Sequence, residues 1–168
     1  MRIGIIGAGR IGGNAARLFA RAGHELLLSF ARDQDRLGRL ASEIGARVGT
    51  AREAAQFGDV VMLSVPWTLV DEVLSQAGPL EGKIVIDTTN QFARGGLEDL
   101  GERTAAQVNA ARMPGARYVK AFNTLTAGFQ AEAAGRTGAR RRTGSCGASA
   151  AGGPSRARPA TAARCPAA

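Results

Sequence analysis

The sequence predicts a doubly wound α/β domain, a parallel sheet covered by helices on both faces, and three observations carry that reading. Short, nearly continuous apolar runs recur along the chain, among them Ile3-Gly4-Ile5-Ile6, Leu26-Leu27-Leu28, Val60-Val61-Met62-Leu63 and Ile84-Val85-Ile86. Strands buried on both faces need such runs rather than a polar alternation. Between them lie segments whose apolar residues recur three and four apart, the spacing of a one-sided helix. The first run ends in Gly7-Ala8-Gly9-Arg10-Ile11-Gly12, a G-x-G-x-x-G turn at the junction where a βαβ unit passes from strand to helix.

Each element follows from its own residues. Arg2 to Ile6 reads as the first strand, and Asn14 to Ala22 as a helix with Ala15, Leu18, Phe19 and Ala22 on one stripe. Gly23 closes that helix in the left-handed position that glycine tolerates. His24 to Phe30 supplies a second strand, and Asp33 to Ile44 a helix presenting Leu37, Leu40 and Ile44. Arg47-Val48-Gly49 is a weak third strand, followed by Thr50 as cap for a helix over Ala51–Phe57. Asp59 to Val65 is the clearest buried strand, and Pro66 is expected to end it because proline donates nothing to a ladder. Val70, Val73, Leu74 and Ala77 mark the next helix; Lys83 to Asp87 and Tyr118 to Phe122 are the fifth and sixth strands. Between those two the pattern weakens to a loop around Gly95-Gly96 and a helix near Arg103–Ala111.

Charge divides the chain. Its 168 residues carry 22 Lys and Arg against 14 Asp and Glu. All the acids lie at or before Glu132, whereas residues 135–168 hold seven arginines, both cysteines and no large apolar side chain. The expected organisation is therefore a dinucleotide-binding domain over 1–134 and a disordered Arg/Ala/Gly/Pro tail over 135–168, since such a composition has nothing to bury. The basic excess describes the tail. It has no aromatic residue for base stacking, so nucleic acid is not the expected partner. No apolar run is long enough to span a membrane. The N-terminus reaches glycine before a signal-peptide core forms, so a cytoplasmic location is expected. One histidine and two cysteines provide no metal cluster, and no metal is expected. His24, ahead of the second strand, reads as structural.

The glycine turn gives the chain its chemistry. Gly7 allows the tight turn, Gly9 lets backbone approach a pyrophosphate, and Gly12 lets helix and strand pack closely. The helix N-terminus then offers free N–H groups and a positive dipole end to the anion. At the end of the second strand, where NAD-binding chains place a carboxylate, this chain reads Ser29-Phe30-Ala31-Arg32. Arg32 suits the 2′-phosphate of NADP through charge-assisted hydrogen bonds, and Arg36 lies one turn further. The competing reading of both arginines is a solvated helix start. Asp33, the nearest acid, suits the helix N-terminus better than a ribose. Ser64-Val65-Pro66-Trp67 follows the fourth strand, at the carboxyl edge where open α/β sheets bind ligands. Trp67 reads equally as a site residue or a packing residue. Asp87-Thr88-Thr89-Asn90 and Asn123-Thr124-Leu125 end later strands on the same edge.

With these segments and Val119-Lys120-Ala121-Phe122-Asn123-Thr124 in view, residues 1 to about 138 resemble the deazaflavin-dependent NADP oxidoreductases, the NADPH-dependent reductases of coenzyme F-420. The resemblance implies reversible hydride transfer between NADPH and the deazaflavin, a small-molecule redox partner. It implies phosphate binding by Ala8, Gly9, Arg10 and Ile11, 2′-phosphate binding by Arg32 with Arg36, and nicotinamide-side contacts from Val65, Pro66, Asn123, Leu125 and Ala127. The family's strand-end serine–arginine is Ala31-Arg32 here, one hydroxyl fewer. Ring-to-ring hydride transfer needs proximity and stacking rather than a protein nucleophile, so no catalytic acid or base is expected. Family members continue with further strands and helices. By that comparison the domain is C-terminally incomplete, its uncovered sheet edge favouring aggregation or a homodimer. The abrupt change near Gly138 suggests a tail read out of frame. The alternatives are a nonenzymatic NADP-binding module and a related imine or ketone reductase, the latter normally needing an added helical domain.

Overall fold

The computed structural model describes residues 1–134; the tail expected over 135–168 lies outside the described residues. The elements are β1 (Arg2–Ile6), α1 (Arg10–Arg21), β2 (Glu25–Ser29), α2 (Gln34–Ile44), β3 (Arg47–Val48), α3 (Ala51–Phe57), β4 (Val60–Leu63), a 3-10 turn (Trp67–Leu69), α4 (Val70–Ala77), β5 (Ile84–Asp87), β6 (Phe92–Ala93), β7 (Gly96–Leu97), α5 (Ala105–Ala111), β8 (Arg117–Lys120) and α6 (Ala127–Ala134). Six of the strands form one sheet in the order β3-β2-β1-β4-β5-β8, and every pairing in it is parallel. This is the doubly wound order, and it reverses direction between β1 and β4. The fold class expected from the sequence is the one observed.

The apolar runs divide between two core layers. Ile3, Ile5, Leu26, Leu28 and Met62 pack on one face with Leu37 and Leu40 of α2 and Ala15 and Ala16 of α1. Ile6, Leu27, Val61, Leu63 and Val85 pack on the other with residues of α3 and α4. Adjacent strand residues thus serve opposite layers, which is why the runs are apolar without interruption.

Local chemistry sets the helix ends. Asp33 caps α2, its carboxylate accepting from the Arg36 N–H at 2.8 Å, and Gly45 ends the helix at φ 67°. Thr50 with Glu53 and Thr104 with Gln107 form capping boxes on α3 and α5. Gly23 follows α1 at φ 79° in the expected role.

Four boundaries correct the sequence reading. Helix α1 starts at Arg10 rather than Asn14, because Gly12 and Gly13 hide a turn that helix packing holds despite poor propensity. Strand β4 ends at Leu63, so Pro66 does not terminate it; Ser64 is the last residue tied to β1, donating to the Ile6 carbonyl at 2.8 Å. The sixth strand runs over Arg117–Lys120, and Phe122 beyond it turns at φ 60°. The loop around Gly95-Gly96 is a two-stranded hairpin, β6 paired antiparallel with β7. Helix α6 has no counterpart in the sequence reading.

A buried polar network joins the last two strands of the sheet. Asp87, at the end of β5, is fully buried and stands opposite Lys120 of β8 in the parallel register. Its carboxylate accepts from Lys120 Nζ at 2.9 Å, Tyr118 Oη at 2.5 Å and Asn109 Nδ2 at 2.9 Å. The Thr89 backbone N–H donates at 2.8 Å, and Lys120 Nζ also donates to the Thr89 carbonyl. A buried carboxylate survives only when its lone pairs are satisfied, and these are. Burial alone would push the Asp87 carboxyl up, but the donors from Tyr118, Asn109, Thr89 and Lys120 outweigh it and hold the group below the usual range. Burial, reinforced by the bond to Asp87, pushes the Tyr118 phenol up.

These two shifts set a pH window. A depressed carboxyl contributes stability above its unfolded value, about 4, and loses it as pH falls. A raised phenol contributes below its unfolded value, about 10, and loses it as pH rises. Urea midpoints should therefore be highest between these limits and fall outside them. Asp87→Asn should flatten the acid limb, and Tyr118→Phe, the milder change, the alkaline limb; unchanged limbs in Tyr118→Phe would show that the phenol is not held as described.

Candidate functional site

The reversal between β1 and β4 opens a groove along the carboxyl edge of the sheet. Its floor is the chain leaving β1. Gly7 sits at φ 101°, a conformation open to glycine. A Cβ there would lie 2.3 Å from the Ser64 carbonyl oxygen. The Gly7 N–H donates to the Ser29 carbonyl at 3.0 Å, tying the turn to the end of β2. Gly12 lies in the first turn of α1, and a Cβ there would stand 2.0 Å from the Gly7 carbonyl oxygen. Gly9 differs: an added Cβ would meet nothing within 4 Å, since that side faces the open groove. Gly7 and Gly12 are therefore small to pack, and Gly9 is small to leave room.

Helix α1 has Gly9 as its N-cap residue, with no side-chain cap and no acid in its first turn. By contrast α2, α3 and α5 are capped by their own side chains. The orphan N–H groups and positive end of α1 thus face the groove uncompensated, a fitting seat for a pyrophosphate.

One half of the groove, about 290 Å³, runs from Gly7, Ala8 and Gly9 to Arg32 and Arg36, with Val65 and Pro66 opposite. The other half, about 380 Å³, shares Gly9 and Ser64 to Pro66 and extends along Arg10 and Ile11 to Thr88, Thr89 and Asn90. Each approaches or exceeds the lower bound of about 300 Å³ usual for small-molecule sites. Phe30 bends the chain at φ 53° and lines the first half just before Arg32. A bulky residue held in the left-handed region is a strained geometry that clusters at ligand sites. Asp33 lines the same end and its carboxylate accepts from the Arg36 N–H in the α2 cap, so that corner sets two guanidiniums against one carboxylate.

The structure gathers most of the predicted binding residues but not all. Gly7 to Ile11, Arg32, Arg36, Ser64, Val65 and Pro66 line the groove, and Gly12 supports it from below. The Ser29 side chain is fully buried and donates to the Ile5 carbonyl at 3.2 Å, so its hydroxyl lies in the sheet and only its backbone holds the turn. Asn123 reaches the groove through Asn90: the Asn90 amide donates to the Asn123 carbonyl at 2.9 Å, and the Asn123 amide to Asn90 Oδ1 at 3.1 Å. Leu125 and Ala127 line neither half; the Ala127 carbonyl instead accepts from Asn14 Nδ2 at 2.7 Å, docking α6 on α1. His24 stacks obliquely on Phe19 at 6.1 Å, away from the groove.

Sequence reasoning missed Phe30, Leu69 and Phe92 as groove residues. Trp67 resolves both ways: it lines the groove and is nevertheless buried. Its indole N–H donates to Glu98 Oε2 at 2.7 Å, and the Arg112 guanidinium lies 4.8 Å above its ring. No metal-binding group of His, Cys, Asp and Glu occurs among the described residues. No helix among them is long and apolar enough to cross a membrane.

Comparison with solved structures gives the same architecture. A hypothetical protein from Sinorhizobium meliloti is 32% identical with TM-score 0.68, covering 78% of this chain and 65% of its own. A protein of Arthrobacter sp. provisionally named an F420-dependent NADP reductase is 23% identical with TM-score 0.69, covering 77% of this chain and 65% of its own. An imine reductase from Myxococcus stipitatus, solved with NADP+, is 23% identical with TM-score 0.56, covering 71% and 40%. At 23% identity these last two speak to the fold alone. The chain thus spans just under two thirds of the first two proteins. No curated protein matches it. The family model for NADP oxidoreductase, coenzyme F420-dependent, matches residues 2–91, which include β1, α1, the Arg32 corner and the Ser64–Trp67 passage, more than half of the 168 residues, and the chain belongs to that family.

Proposed function

We propose that this domain binds NADPH in the groove and transfers a hydride between it and the deazaflavin coenzyme F420. The observation that carries the reading is one groove holding both an uncapped, acid-free helix start and the two guanidiniums of Arg32 and Arg36. A dinucleotide with one additional phosphate matches that charge layout. Family membership supports both the deazaflavin as acceptor and NADP as the nicotinamide cofactor.

The residues divide the work. Backbone N–H groups at Gly9 to Ile11 would hold the pyrophosphate, stabilised by the α1 dipole. Arg32 and Arg36 would bind the 2′-phosphate, to which planar guanidinium forks are well matched. Val65 and Pro66 form an apolar part of the lining, and Thr88, Thr89 and Asn90 complete it with side chains bonded to the Leu63 carbonyl, Asn109 and Asn123. The nucleotide, when bound, supplies a hydride, and the acceptor ring takes that hydride with a proton from solvent. The chain's contribution is to hold the two rings close and shielded from water, an effect of orientation rather than acid–base chemistry.

The Asp87 network stiffens this arrangement. Thr89 lines the groove and is held by Lys120 through its carbonyl and by Asn109 Nδ2 through its hydroxyl, the latter at 2.9 Å. The buried ion pair therefore fixes one wall of the site.

Two substitutions separate the parts. Gly9→Val should abolish binding of NADPH and NADH alike with the fold retained, since a Cβ there meets no protein atom within 4 Å and takes the space left for the ligand; calorimetry beside circular dichroism checks this, and retained binding would mean the pyrophosphate sits elsewhere. Arg32→Glu should weaken NADPH by about tenfold to a hundredfold, the loss of a charge-assisted bond, with NADH little changed; equal losses would refute the 2′-phosphate role. The reaction itself is read by the loss of deazaflavin absorbance with NADPH consumption, and a folded, NADPH-binding protein that leaves the deazaflavin unreduced would overturn the acceptor assignment.

A further inference from the structure

The groove does not stop at Asn90. Beyond it the chain forms the β6–β7 hairpin, and Phe92, the first residue of β6, lines the same half of the groove as Ile11, Pro66 and Trp67. Phe92 is 62% exposed, a large apolar residue open at the mouth of the groove. Leu97, its pairing partner across the hairpin, is similarly exposed but lies outside the groove lining.

Two residues per strand are too few to order a hairpin in water. This one is held from outside. Glu98, next to β7, accepts the indole N–H of Trp67 at 2.7 Å, and its own N–H donates to the Gln91 carbonyl at 2.8 Å. Trp67 is clamped in turn by Arg112, whose guanidinium covers the ring at 4.8 Å. Arg112 pairs with Asp71 at 2.9 Å and donates to Asn109 Oδ1 at 2.8 Å, and Asn109 bonds Asp87. A continuous chain of contacts thus runs from the buried carboxylate at the end of β5 to the hairpin, giving Phe92 a defined place despite its exposure.

We propose that the β6–β7 hairpin is the acceptor-side wall of the site, with Phe92 the stacking platform for a flat heteroaromatic ring and the Glu98–Trp67–Arg112 latch its positioning device. The proposal rests on the functional reading above and adds the residues that recognise the second substrate. The occupant follows from continuity. The pyrophosphate seat and the arginine corner direct the adenosine end away from the hairpin, so the half containing Thr88, Asn90 and Phe92 receives the reacting end. An acceptor must come within about 3–3.5 Å of the donor carbon, and the surface it meets there has an apolar face with polar groups beside it. Stacking on an aromatic face suits a planar ring with hydrogen-bonding edges.

The test measures ring binding apart from turnover. Oxidised deazaflavin is titrated onto the full chain saturated with NADP+, followed by its fluorescence, with riboflavin as a second planar probe and calorimetry for NADPH. Phe92→Ala should weaken binding of the ring about tenfold while NADPH affinity stays within about twofold; Phe92→Tyr should restore it, and Leu97→Ala should change neither. Glu98→Ala should speed amide hydrogen exchange across residues 92–98 and weaken ring binding with NADPH affinity retained. Ring binding unaffected by Phe92→Ala, lost equally in Leu97→Ala, or absent for both probes in an NADPH-binding wild type would overturn the platform. Riboflavin bound through Phe92 without deazaflavin binding would keep the platform and refute the acceptor assignment instead.

Discussion

The close approach of α1 to the end of β1 is the constraint on which the remaining geometry depends. Gly12 presses against the Gly7 carbonyl so tightly that a methyl group there would lie 2.0 Å from the oxygen. That contact aims the first turn of α1 across the end of the sheet at the point where strand order reverses. Gly7 in turn leaves no room against Ser64, so the chain leaving β4 is drawn over the same turn. A groove follows of necessity, floored by backbone, because any side chain at these positions would separate the elements. The N–H groups of the helix are then fixed before a ligand arrives, and preorganised donors need no rearrangement to meet an anion.

Charge placement builds on that frame. Asp33 lines the same corner as Arg32 and Arg36 and caps α2 with its carboxylate, so it offsets one guanidinium and the corner remains positive by the other. At the other end, Asp87 is wholly inside and neutralised by Lys120 and three neutral donors. It acts as a structural anchor under Thr89 rather than as a group that meets the ligand. The site combines a positive corner, a neutral middle and an apolar mouth.

Much of this was legible in the sequence because the signals were local or periodic. The apolar runs gave the strands, Thr50 and Asp33 the caps, and the glycine spacing the turn. The Arg32 corner could be read because a residue type was missing where a carboxylate is otherwise expected. What escaped reading depends on long-range packing. The fate of the Ser29 hydroxyl turns on whether the second strand's last side chain faces the groove or β1, and period-two alternation cannot choose when both faces are buried. The Asp87–Lys120 pair becomes visible only with strand register, because residues 33 positions apart in the chain lie side by side in the sheet. The hairpin was unreadable: two residues per strand carry no periodicity, and its order comes from Glu98 finding Trp67 across 31 residues. Leu125 and Ala127, carried from the family's pattern, join the α6 segment rather than the groove, since Asn14 and Phe19 of α1 hold that stretch of chain.

An anion seat at the start of α1, coupled to a phosphate-selective corner, is tested most directly by calorimetric titration of the unmodified protein with NADPH and NADH in parallel. One saturable site is expected for each, with NADPH bound more tightly by about tenfold or more and its advantage shrinking as salt rises. Saturation by neither nucleotide on demonstrably folded protein, or a preference for NADH, would contradict it.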